Sequence, residues 1–566
     1  MLSCSRIFFN LEVFMKEIVK IFALGGLDEN GKNLYVVDIN EELYVFDAGI
    51  RYPEESLLGI DIILPGINYL FENRHRIKAF FITHGHDENM GAIPFLCEEI
   101  QAPVYATKLT IAFIKDAAKR YQKEEVVIPF VEIQRDEVIH INDKTVYAFA
   151  VTHGSSEAVG YALETQHGLI VYSGDFILDF SADLPYRSDF NRISYLSTKP
   201  TLCLLTDSYN STYKGMVSPN HKIYHHLCQI MEDVKGRIFI SLYGQNLFNL
   251  QEVIAATIKS KRKLLLYTEY SKNLLDTLHS LYENPFIAEK NITTNVLEVN
   301  SVILVMDLGT KVFETLTQIA DQNENEDTIK ISEEDAFILA SPPHTGTELM
   351  YAKILDKLYR TNAQVYNINN KEMVSMHAGS EDLKMLLSIF KPKYYMPVRG
   401  YYIKMVENAK LAVDLGYNHN NILVYDNGMV ANFEDGTLIR SHESVECNEI
   451  MVDGIGIGDV GSVVINDRRK LASDGVMILG ISFSMATRKI VAGPDIQMRG
   501  LIFLKDANEI VDKIANIFEK IVFDYVQKPG LVDFNELRNI CKETISRIVR
   551  SDLGKDPMIL PVIISV

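Results

Sequence analysis

The hydrophobic positions of the N-terminal third fall into short runs that are separated by turn residues. Runs of about five residues that are rich in β-branched and aromatic side chains are typical of strands, and the longer run Ile93–Ile100 indicates a helix. This strand-rich order predicts an α/β sheet sandwich that is faced by helices. The predicted strands are Ile18–Ala23, Leu34–Asp38, Glu42–Asp47, Arg76–Ile82, Val104–Ala106, Thr145–Val151, Tyr161–Glu164, Leu169–Ser173 and Thr201–Thr206.

A different rhythm begins near Tyr213 and ends near Gln364, where helices and strands alternate. Such alternation predicts a doubly wound unit with a parallel sheet. The polar run Asp321–Asp327 inside this unit predicts a solvated loop. The predicted helices are Leu247–Ser260 and Asn273–Tyr282, and the predicted strands are Lys263–Tyr267, Val302–Met306 and Ala336–Ala340.

Residues suited to a functional site precede the alternating unit in the chain, and further residues of this kind follow it, after Met376. We therefore predict that the unit is inserted into the first domain. A final segment from about Val452 combines strands with two amphipathic helices, Ala507–Val526 and Asp533–Arg550. The predicted segments are an extension at 1–15, the first domain at 16–212, the insertion at 213–364, the return of the first domain with a linker at 365–446, and a small α+β domain at 447–566.

The composition, with 47% hydrophobic and 23% charged residues among 566, is that of a globular protein. Six cysteines without a short repeated spacing favour a reducing compartment, so we expect a cytoplasmic location. We expect no membrane association, because no apolar run reaches the roughly 18 residues that span a bilayer and residues 1–14 lack signal-peptide features. The net charge of −19 disfavours strong autonomous binding to RNA, which depends on Lys and Arg at phosphates.

Two histidines, His84 and His86, follow directly after an apolar strand. Neutral imidazoles presented together from a tight loop are suited to a zinc ion, which can supply hydroxide near neutral pH. Two further candidates, His153 and Asp175, also follow predicted strands. Taken singly, each of the four has an ordinary explanation as a surface or capping residue. Their shared position at strand ends favours a metal site of three imidazoles and one carboxylate.

The stretch Thr83–Asn89 resembles the metallo-β-lactamase signature His-x-His-x-Asp-His, with Glu88 in place of its Asp and Asn89 in place of its last His. Over residues 16–566 the chain resembles the ribonuclease J family, whose members carry a β-CASP insertion. The other stretches that carry this resemblance are Gly25-Gly26, Gly31–Asn33, Asp47–Gly49, Leu58–Asp61, Ser341–Glu348, Val374–Ala378, Met396–Gly400 and Pro557–Ile563.

The resemblance implies a metallo-β-lactamase αββα sandwich with an inserted β-CASP α/β domain and a small C-terminal α+β domain that assembles dimers or tetramers. Residues 16–212 and 365–446 would form the metallo-β-lactamase domain, 213–364 the β-CASP domain and 447–566 the oligomerisation domain. The implied activity is zinc-dependent hydrolysis of RNA, from the 5′ end or internally, in RNA maturation and decay.

The resemblance also implies two zinc sites of unequal quality. The first corresponds to His84, His86, His153 and the bridging Asp175, which are all present. The second corresponds to Glu88, Asn89, Asp175 and Arg399, and a guanidinium cannot ligate a metal because it stays protonated. We therefore expect one zinc ion per chain rather than two, with a metal-free protein left open. Arg399 is expected to pair with Glu88 or Asp175 in the place of the missing ion, unless it points to solvent.

The family's RNA contacts are altered in a similar way. Its phosphate-holding His and Arg correspond to Phe248 and Asn249, and a polar stretch corresponds to the less polar Asp307–Val312. The retained positions imply substrate binding, with His377 as a catalytic group at the scissile phosphate unless it is a core histidine, and with Glu88 as a residue that orients water. The expected substrate-binding residues are Ser208, Asn246, Gly346, Ser375 and His377.

Three functional interpretations follow. The first is a ribonuclease with an impaired active site that keeps one metal. The second is a catalytically inactive structural partner of an active ribonuclease J paralogue, with RNA, the paralogue and a second copy of the chain as expected partners. The third is a hydrolase of a small substrate, which the β-CASP-like insertion disfavours because that domain covers a nucleic-acid strand in the family.

A last pattern, Gly456–Gly461, fits the dinucleotide-binding spacing Gly-x-Gly-x-x-Gly. A dinucleotide fold needs a helix directly afterwards. The following residues, Ser462–Asn466, are β-like in composition, so we expect a turn here and no dinucleotide site.

Overall fold

The structure is a computed structural model that describes residues 16–53, 57–282, 287–321, 329–344, 346–439, 442–454, 456–457, 462–501 and 507–566. The extension expected at 1–15, residues 322–327 of the expected polar loop and residues 458–461 of the glycine pattern lie outside the described residues. The chain divides into two compact units, one comprising the described residues up to Tyr52 with Ile62–Ile450, and the other Pro53–Asp61 with Met451–Val566.

The first unit contains two large sheets that enclose one hydrophobic core, as the sandwich prediction requires. The ring of Phe46 from one sheet lies 6.2 Å from the ring of Tyr172 from the other. In spatial order, the eight-stranded sheet contains Thr437–Ile439, Ala431–Glu434, Ile18–Gly25, Leu34–Ile39, Glu42–Phe46, Ile77–Phe81, Val104–Ala106 and Phe130–Glu132, and the six-stranded sheet contains Tyr394–Val398, Thr201–Asp207, Gly168–Tyr172, Val159–Thr165, Lys144–Ala150 and Val138–Ile141.

Helices cover the outer faces of this sandwich. Phe190–Ser197, Ser380–Phe390 and Tyr402–Asp414 pack on the six-stranded sheet, and Lys108–Arg120 packs beside Phe130–Glu132 of the eight-stranded sheet. The remaining short elements of the sandwich are the strand Ile62–Leu64, the helices Asn68–Glu72, Asp87–Met90 and Ile93–Leu96, and the 3₁₀ helices Arg74–Arg76 and His419–Asn421. The helix expected at Ile93–Ile100 therefore ends earlier, at Leu96.

A third sheet has five parallel strands, and a parallel sheet is what the alternating pattern predicted. Successive residues of its central strand, such as Ile238, Phe239 and Ile240, are all buried, because helices cover both faces of a parallel sheet. In spatial order the strands are Lys263–Leu266, Ser301–Asp307, Ile238–Tyr243, Ala336–Leu339 and Gln364–Asn367. The helices of this part are Tyr224–Asp233, Leu247–Lys259, Glu269–Leu281, Lys311–Asp321 and Glu348–Tyr359, and a 3₁₀ turn covers Glu289–Asn291.

The chain leaves the sandwich and returns to it around this third sheet. Strand Thr201–Asp207 precedes the five-stranded sheet and strand Tyr394–Val398 follows it, yet the two pair in parallel as neighbours. Residues 191 positions apart are therefore placed side by side at one sheet edge, with Asp207 opposite Val398. This pairing brings residues that follow both strands to the same end of the sandwich.

The second unit packs a three-stranded sheet against helices. Buried Leu479 and Phe483 of the sheet share a core with Phe518 and Ile545 of the helices. Its strands are Ile490–Arg499, Val476–Phe483 and Met558–Ser565, its helices are Ser462–Asp474, Ala507–Val526 and Phe534–Leu553, and two short strands, Ile450–Asp453 and Gly456–Ile457, precede them in the chain.

One expectation for this unit is wrong, because residues 462–466, expected to be β-like, begin the helix Ser462–Asp474. The dinucleotide interpretation still fails, since Gly456–Ile457 pairs antiparallel with the preceding strand and the strand after the helix belongs to another sheet.

Among the described residues, no helix combines the length and the hydropathy needed to cross a bilayer.

Candidate metal centre

The loop that carries the two histidines is held from below by a buried carboxylate. Strand Ile77–Phe81 ends just before Thr83, whose backbone N–H donates to Asp47 Oδ1 at 2.8 Å and whose hydroxyl contacts the same carboxylate. Tyr172 also donates to Asp47, at 2.8 Å. Burial raises the pKa of Asp47 to about 6, although these hydrogen bonds oppose the rise. These hydrogen bonds fix the position of Thr83, at the start of the histidine loop.

The four sequence-predicted ligands come together at the end of the sandwich. The ligand atoms of His84, His86, His153 and Asp175 all lie within 4.8 Å of one another. His153 Nε2 is 3.2 Å from His86 Nδ1, and Asp175 Oδ2 is 3.5 Å from His84 Nε2. His84, His153 and Asp175 are at most 2% exposed. Three imidazoles and a carboxylate in this arrangement are a donor set that zinc prefers.

The outer nitrogen of each imidazole is engaged elsewhere, which leaves the inner nitrogen for the centre. His84 Nδ1 lies 2.9 Å from the Thr83 hydroxyl. His86 Nε2 lies 3.2 Å from the Gln245 carbonyl, and His153 Nδ1 lies 2.8 Å from the Met376 carbonyl. Metal-binding histidines are commonly oriented in this way. Within the described part of the chain, His84 Nε2 and Asp175 Oδ1 have no hydrogen-bond partner, so the residues fit one metal ion.

The imidazoles are held in the neutral form that ligation needs. Burial lowers the pKa of His84 and of His153 well below the usual value, and the neighbouring His86 lowers both further. Burial also lowers the pKa of His86, with Glu88 opposing the shift. A cluster of neutral imidazoles beside a carboxylate attracts a divalent cation.

Arg399 lies inside the candidate site and not in solvent. Its side chain is 2% exposed, its Nη2 is 3.1 Å from Glu88 Oε1, and its Nη1 contacts Asp175 Oδ2. The alternative that Arg399 points to solvent is thus wrong. Burial alone would raise the pKa of Glu88, but His86 and the guanidinium outweigh it and hold that pKa below its usual value.

Asn89 is turned towards the buried base of the loop. Its Nδ2 donates to Asp47 Oδ2 at 2.7 Å, and its Oδ1 accepts from Asn33 Nδ2 at 3.3 Å. Both ends of the amide are therefore used within the fold. Asn89 and Arg399, whose guanidinium cannot ligate, therefore offer no ligand at the second metal position that the family resemblance implies. Asp175 also forms a second group of ligand-type residues, with Asp207 and His377, whose ligand atoms lie within 4.8 Å of one another.

His377 lies beside the histidine cluster and is oriented by an aspartate that the sequence did not pair with it. His377 Nδ1 is 2.7 Å from Asp207 Oδ2, and the rings of His377 and His153 are 5.2 Å apart. Asp207 follows the rule that suggested the other ligands, since it ends the strand Thr201–Asp207. His377 is buried, as a core histidine would be, but at the edge of the candidate site.

The expected RNA-contact residues are divided between the surface and the interior. Gly346 and Ser375 are exposed. Ser208 is fully buried, and its hydroxyl accepts from Asn408 Nδ2 at 3.0 Å. Asn246 caps the helix Leu247–Lys259 by accepting from the Asn249 N–H at 3.2 Å. Substrate binding by these residues stays a prediction.

Phe248 and Asn249, which replace the expected phosphate contacts, are both buried. The Phe248 ring lies 5.1 Å from that of Tyr186. Asn249 Nδ2 donates to Glu252 Oε2 at 2.9 Å and to the His221 carbonyl at 3.2 Å. Both side chains contribute to packing where the insertion meets the sandwich.

Comparison with known proteins connects these features to a family. Residues 27–205 match the metallo-beta-lactamase superfamily, 362–423 match the Zn-dependent metallo-hydrolase RNA specificity domain, and 463–566 match the ribonuclease J C-terminal domain. The protein named Ribonuclease J 2 from Staphylococcus epidermidis is 31% identical over 551 residues, which cover 96% of this chain and 98% of that protein. The chain belongs to the ribonuclease J family. Ribonuclease J 2 from Staphylococcus aureus shows the same identity over the same coverage.

The fold expected for a ribonuclease J protein is confirmed, with a metallo-β-lactamase sandwich, a β-CASP insertion and a ribonuclease J C-terminal domain. The crystal structure of a protein of unknown function from Enterococcus faecalis V583 is similar in fold, with a TM-score of 0.51 and 15% identity over 74% of this chain and all of that one. The matched families and the cluster of ligand-type residues both indicate metal binding.

Proposed function

We propose that this chain is a zinc-dependent RNA phosphodiesterase of RNA maturation and decay that works with one metal ion. His84, His86, His153 and Asp175 would hold the ion. The observation that carries the proposal is the orientation of the three imidazoles, since each uses one nitrogen in a hydrogen bond outside the cluster and presents the other to the centre. A cytoplasmic location agrees with the scattered cysteines.

A zinc ion held there would supply a Lewis acid and a source of hydroxide near neutral pH. The chain's own residues would do the rest. Asp207 fixes the orientation of His377 through Nδ1, so that Nε2 remains to stabilise or protonate an oxygen of the scissile phosphate. Glu88 would orient water through the carboxylate oxygen that does not face Arg399. Ser208, Asn246, Gly346 and Ser375 are the proposed substrate-binding residues.

A second function is favoured by the altered residues, namely that of a catalytically inactive partner for an active ribonuclease J paralogue or for a second copy of this chain. Arg399 blocks one metal position, and Phe248 and Asn249 are buried where the family has phosphate contacts. The match of residues 463–566 to the ribonuclease J C-terminal domain supports dimer or tetramer formation through this region.

Metal stoichiometry and RNA decay distinguish the two functions. Protein purified without chelators is analysed by mass spectrometry for metal, and its decay of 5′-monophosphate RNA is compared with that of His84→Ala and of His75→Ala, an exposed histidine that serves as control. About one zinc per chain and decay that only His84→Ala abolishes would support the nuclease. Identical slow traces for all three proteins would leave the structural partner.

A further inference from the structure

We propose that the guanidinium of Arg399 is a built-in cation that takes the place of a second divalent metal ion. The inference deepens the proposed function because it concerns the same site. Its test measures metal content and thermal stability, neither of which requires RNA hydrolysis.

The guanidinium joins carboxylates that come from separate elements. Arg399 follows the strand Tyr394–Val398, Asp175 follows Gly168–Tyr172, and Glu88 lies in the short helix Asp87–Met90. Nη2 reaches Glu88 Oε1 at 3.1 Å, while Nη1 contacts Asp175 Oδ2. A cation that bridges two carboxylates from different elements has the connectivity of a bridging metal ion.

The backbone of Arg399 is fixed so that the side chain enters the site. Its φ angle is +54°, and Gly400 follows at +120°. The Arg399 carbonyl accepts from the Ser208 N–H at 3.1 Å, and the Gly400 N–H donates to the Glu29 carbonyl at 3.0 Å. A left-handed conformation in a bulky residue persists only when its surroundings hold it. These backbone bonds hold it on both sides.

Charge balance explains why the arginine is needed once a metal is absent. Asp175 is 1% exposed, and Glu88, whose side chain is 31% exposed, lies beside it at the same guanidinium. Two neighbouring carboxylates without a cation are costly in a buried site. A guanidinium remains protonated at any physiological pH and offers paired donors that match carboxylates. Arg399 therefore neutralises part of this charge permanently, whereas a metal ion would have to be acquired.

The other residues at these positions are consistent with a lost metal. Asn89 uses Nδ2 and Oδ1 in bonds to Asp47 and Asn33. Glu88 Oε1 is engaged by Arg399. Glu88 keeps only Oε2, and Asp175 is shared with the histidine cluster. Asp175 also forms a second group of ligand-type residues with Asp207 and His377, but His377 Nδ1 is already bonded to Asp207 at 2.7 Å. The replaced position therefore lacks the full set of free ligands that a divalent ion needs.

Two measurements test the inference. First, wild-type protein is equilibrated with excess Zn²⁺ or Mn²⁺, desalted and analysed for metal, and we expect no more than one ion per chain. Second, the melting temperature of Arg399→Met in chelator is compared with that of wild type and of Arg360→Met, an exposed control. We expect the melting temperature of Arg399→Met, and not that of the control, to fall by roughly 5 °C or more. We also expect added Mn²⁺ to raise the melting temperature of Arg399→Met more than that of wild type.

A gain-of-site variant completes the test. Combining Glu88→Asp, Asn89→His and Arg399→His restores the family's ligand types, and we expect it to bind two ions per chain. Two ions per wild-type chain would overturn the inference, and this result needs no variant to fold. An Arg399→Met protein that melts like wild type in chelator would also overturn it. One bound ion per wild-type chain without RNA decay would contradict the proposed nuclease activity but would agree with the inference about Arg399.

Discussion

The backbone carbonyl of Gln245 lies 3.2 Å from His86 Nε2, although the two residues are 159 positions apart. The Gln245 side chain strengthens this contact, because its Oε1 accepts from the Asp87 N–H at 3.3 Å and its Nε2 donates to the Gly85 carbonyl at 3.4 Å. A residue of the insertion thus orients a candidate ligand in the sandwich. A contact from the β-CASP domain therefore helps to set the orientation of a candidate metal ligand, and the following variant tests whether it affects metal binding.

Gln245→Ala is expected to weaken metal binding at the histidine cluster by about 10-fold, the lower range for loss of a group that orients a metal ligand. The variant removes both side-chain hydrogen bonds to the loop. The Gln245 backbone carbonyl, which contacts His86, is then held in place less firmly. Titration against a chromophoric chelator measures the affinity. Gln251→Ala, an exposed glutamine in the helix Leu247–Lys259 that follows Gln245, is the matched control. Equal affinities in the two variants would contradict an effect of this contact on metal binding.

Asp207→Asn is expected to lower RNA decay by about 100-fold, the low end of the range for general acid–base catalysis, while metal content stays unchanged. The carboxylate accepts from His377 Nδ1 and fixes which nitrogen faces the centre, and an amide can present its NH₂ group to that nitrogen instead. Single-turnover assays on 5′-monophosphate RNA measure the effect, with the exposed Asp183→Asn as control. A wild-type rate in Asp207→Asn would show that Asp207 does not position His377 for the reaction.

The sequence predicted those site residues that follow hydrophobic strands, because strand ends at one sheet edge bring side chains together. His84, His153 and Asp175 are of this kind. It could not predict the contact between Gln245 and His86, since nothing local connects residues of two domains. The helix at Ser462–Asp474 was missed because Val463, Val464 and Ile465 favour strands locally, a preference that the rest of the fold overrides.

The stretch Asp307–Val312 shows a similar limit. Its low content of polar residues, set beside the family's polar stretch, predicts an altered RNA contact. The structure places Lys311 and Val312 at the start of the helix Lys311–Asp321, with Val312 fully buried. A buried hydrophobic residue at a helix start serves packing of the five-stranded sheet. Residue identity alone cannot separate a changed binding residue from one recruited into a core.

The stability contribution of Asp47 is expected to depend on pH between about 4 and 6. Its pKa is raised to about 6 in the folded protein, against about 3.9 when unfolded. The folded state therefore binds the proton more tightly, so the contribution is present below pH 4 and is lost as pH rises through 6. Two pKa units correspond to about 3 kcal/mol. Asp47→Asn should remove this dependence.

Melting temperatures of wild type and Asp47→Asn at pH 4, 5, 6 and 7 provide the measurement. The amide variant starts at a disadvantage, because it loses acceptors for the Thr83 and Asn89 donors. Relative to wild type it should gain stability as pH rises. Asp143→Asn, at an exposed position, controls for general charge effects. A constant difference across the series would mean that Asp47 does not titrate in this range.

Restoring the family's residues at the two altered phosphate positions is expected to lower stability without improving RNA binding. Phe248 and Asn249 are buried, so Phe248→His with Asn249→Arg would place polar groups against Tyr186 and His221 instead of presenting them to a phosphate. The free energy of unfolding should fall by about 1–3 kcal/mol. RNA affinity, measured by fluorescence anisotropy at fixed salt, should change less than about twofold.

Gln251→Arg, exposed on the same helix, provides the control for an added positive charge. An affinity gain of 10-fold in the double variant but not in this control would show that the two positions still reach RNA, and would argue against their assignment to packing.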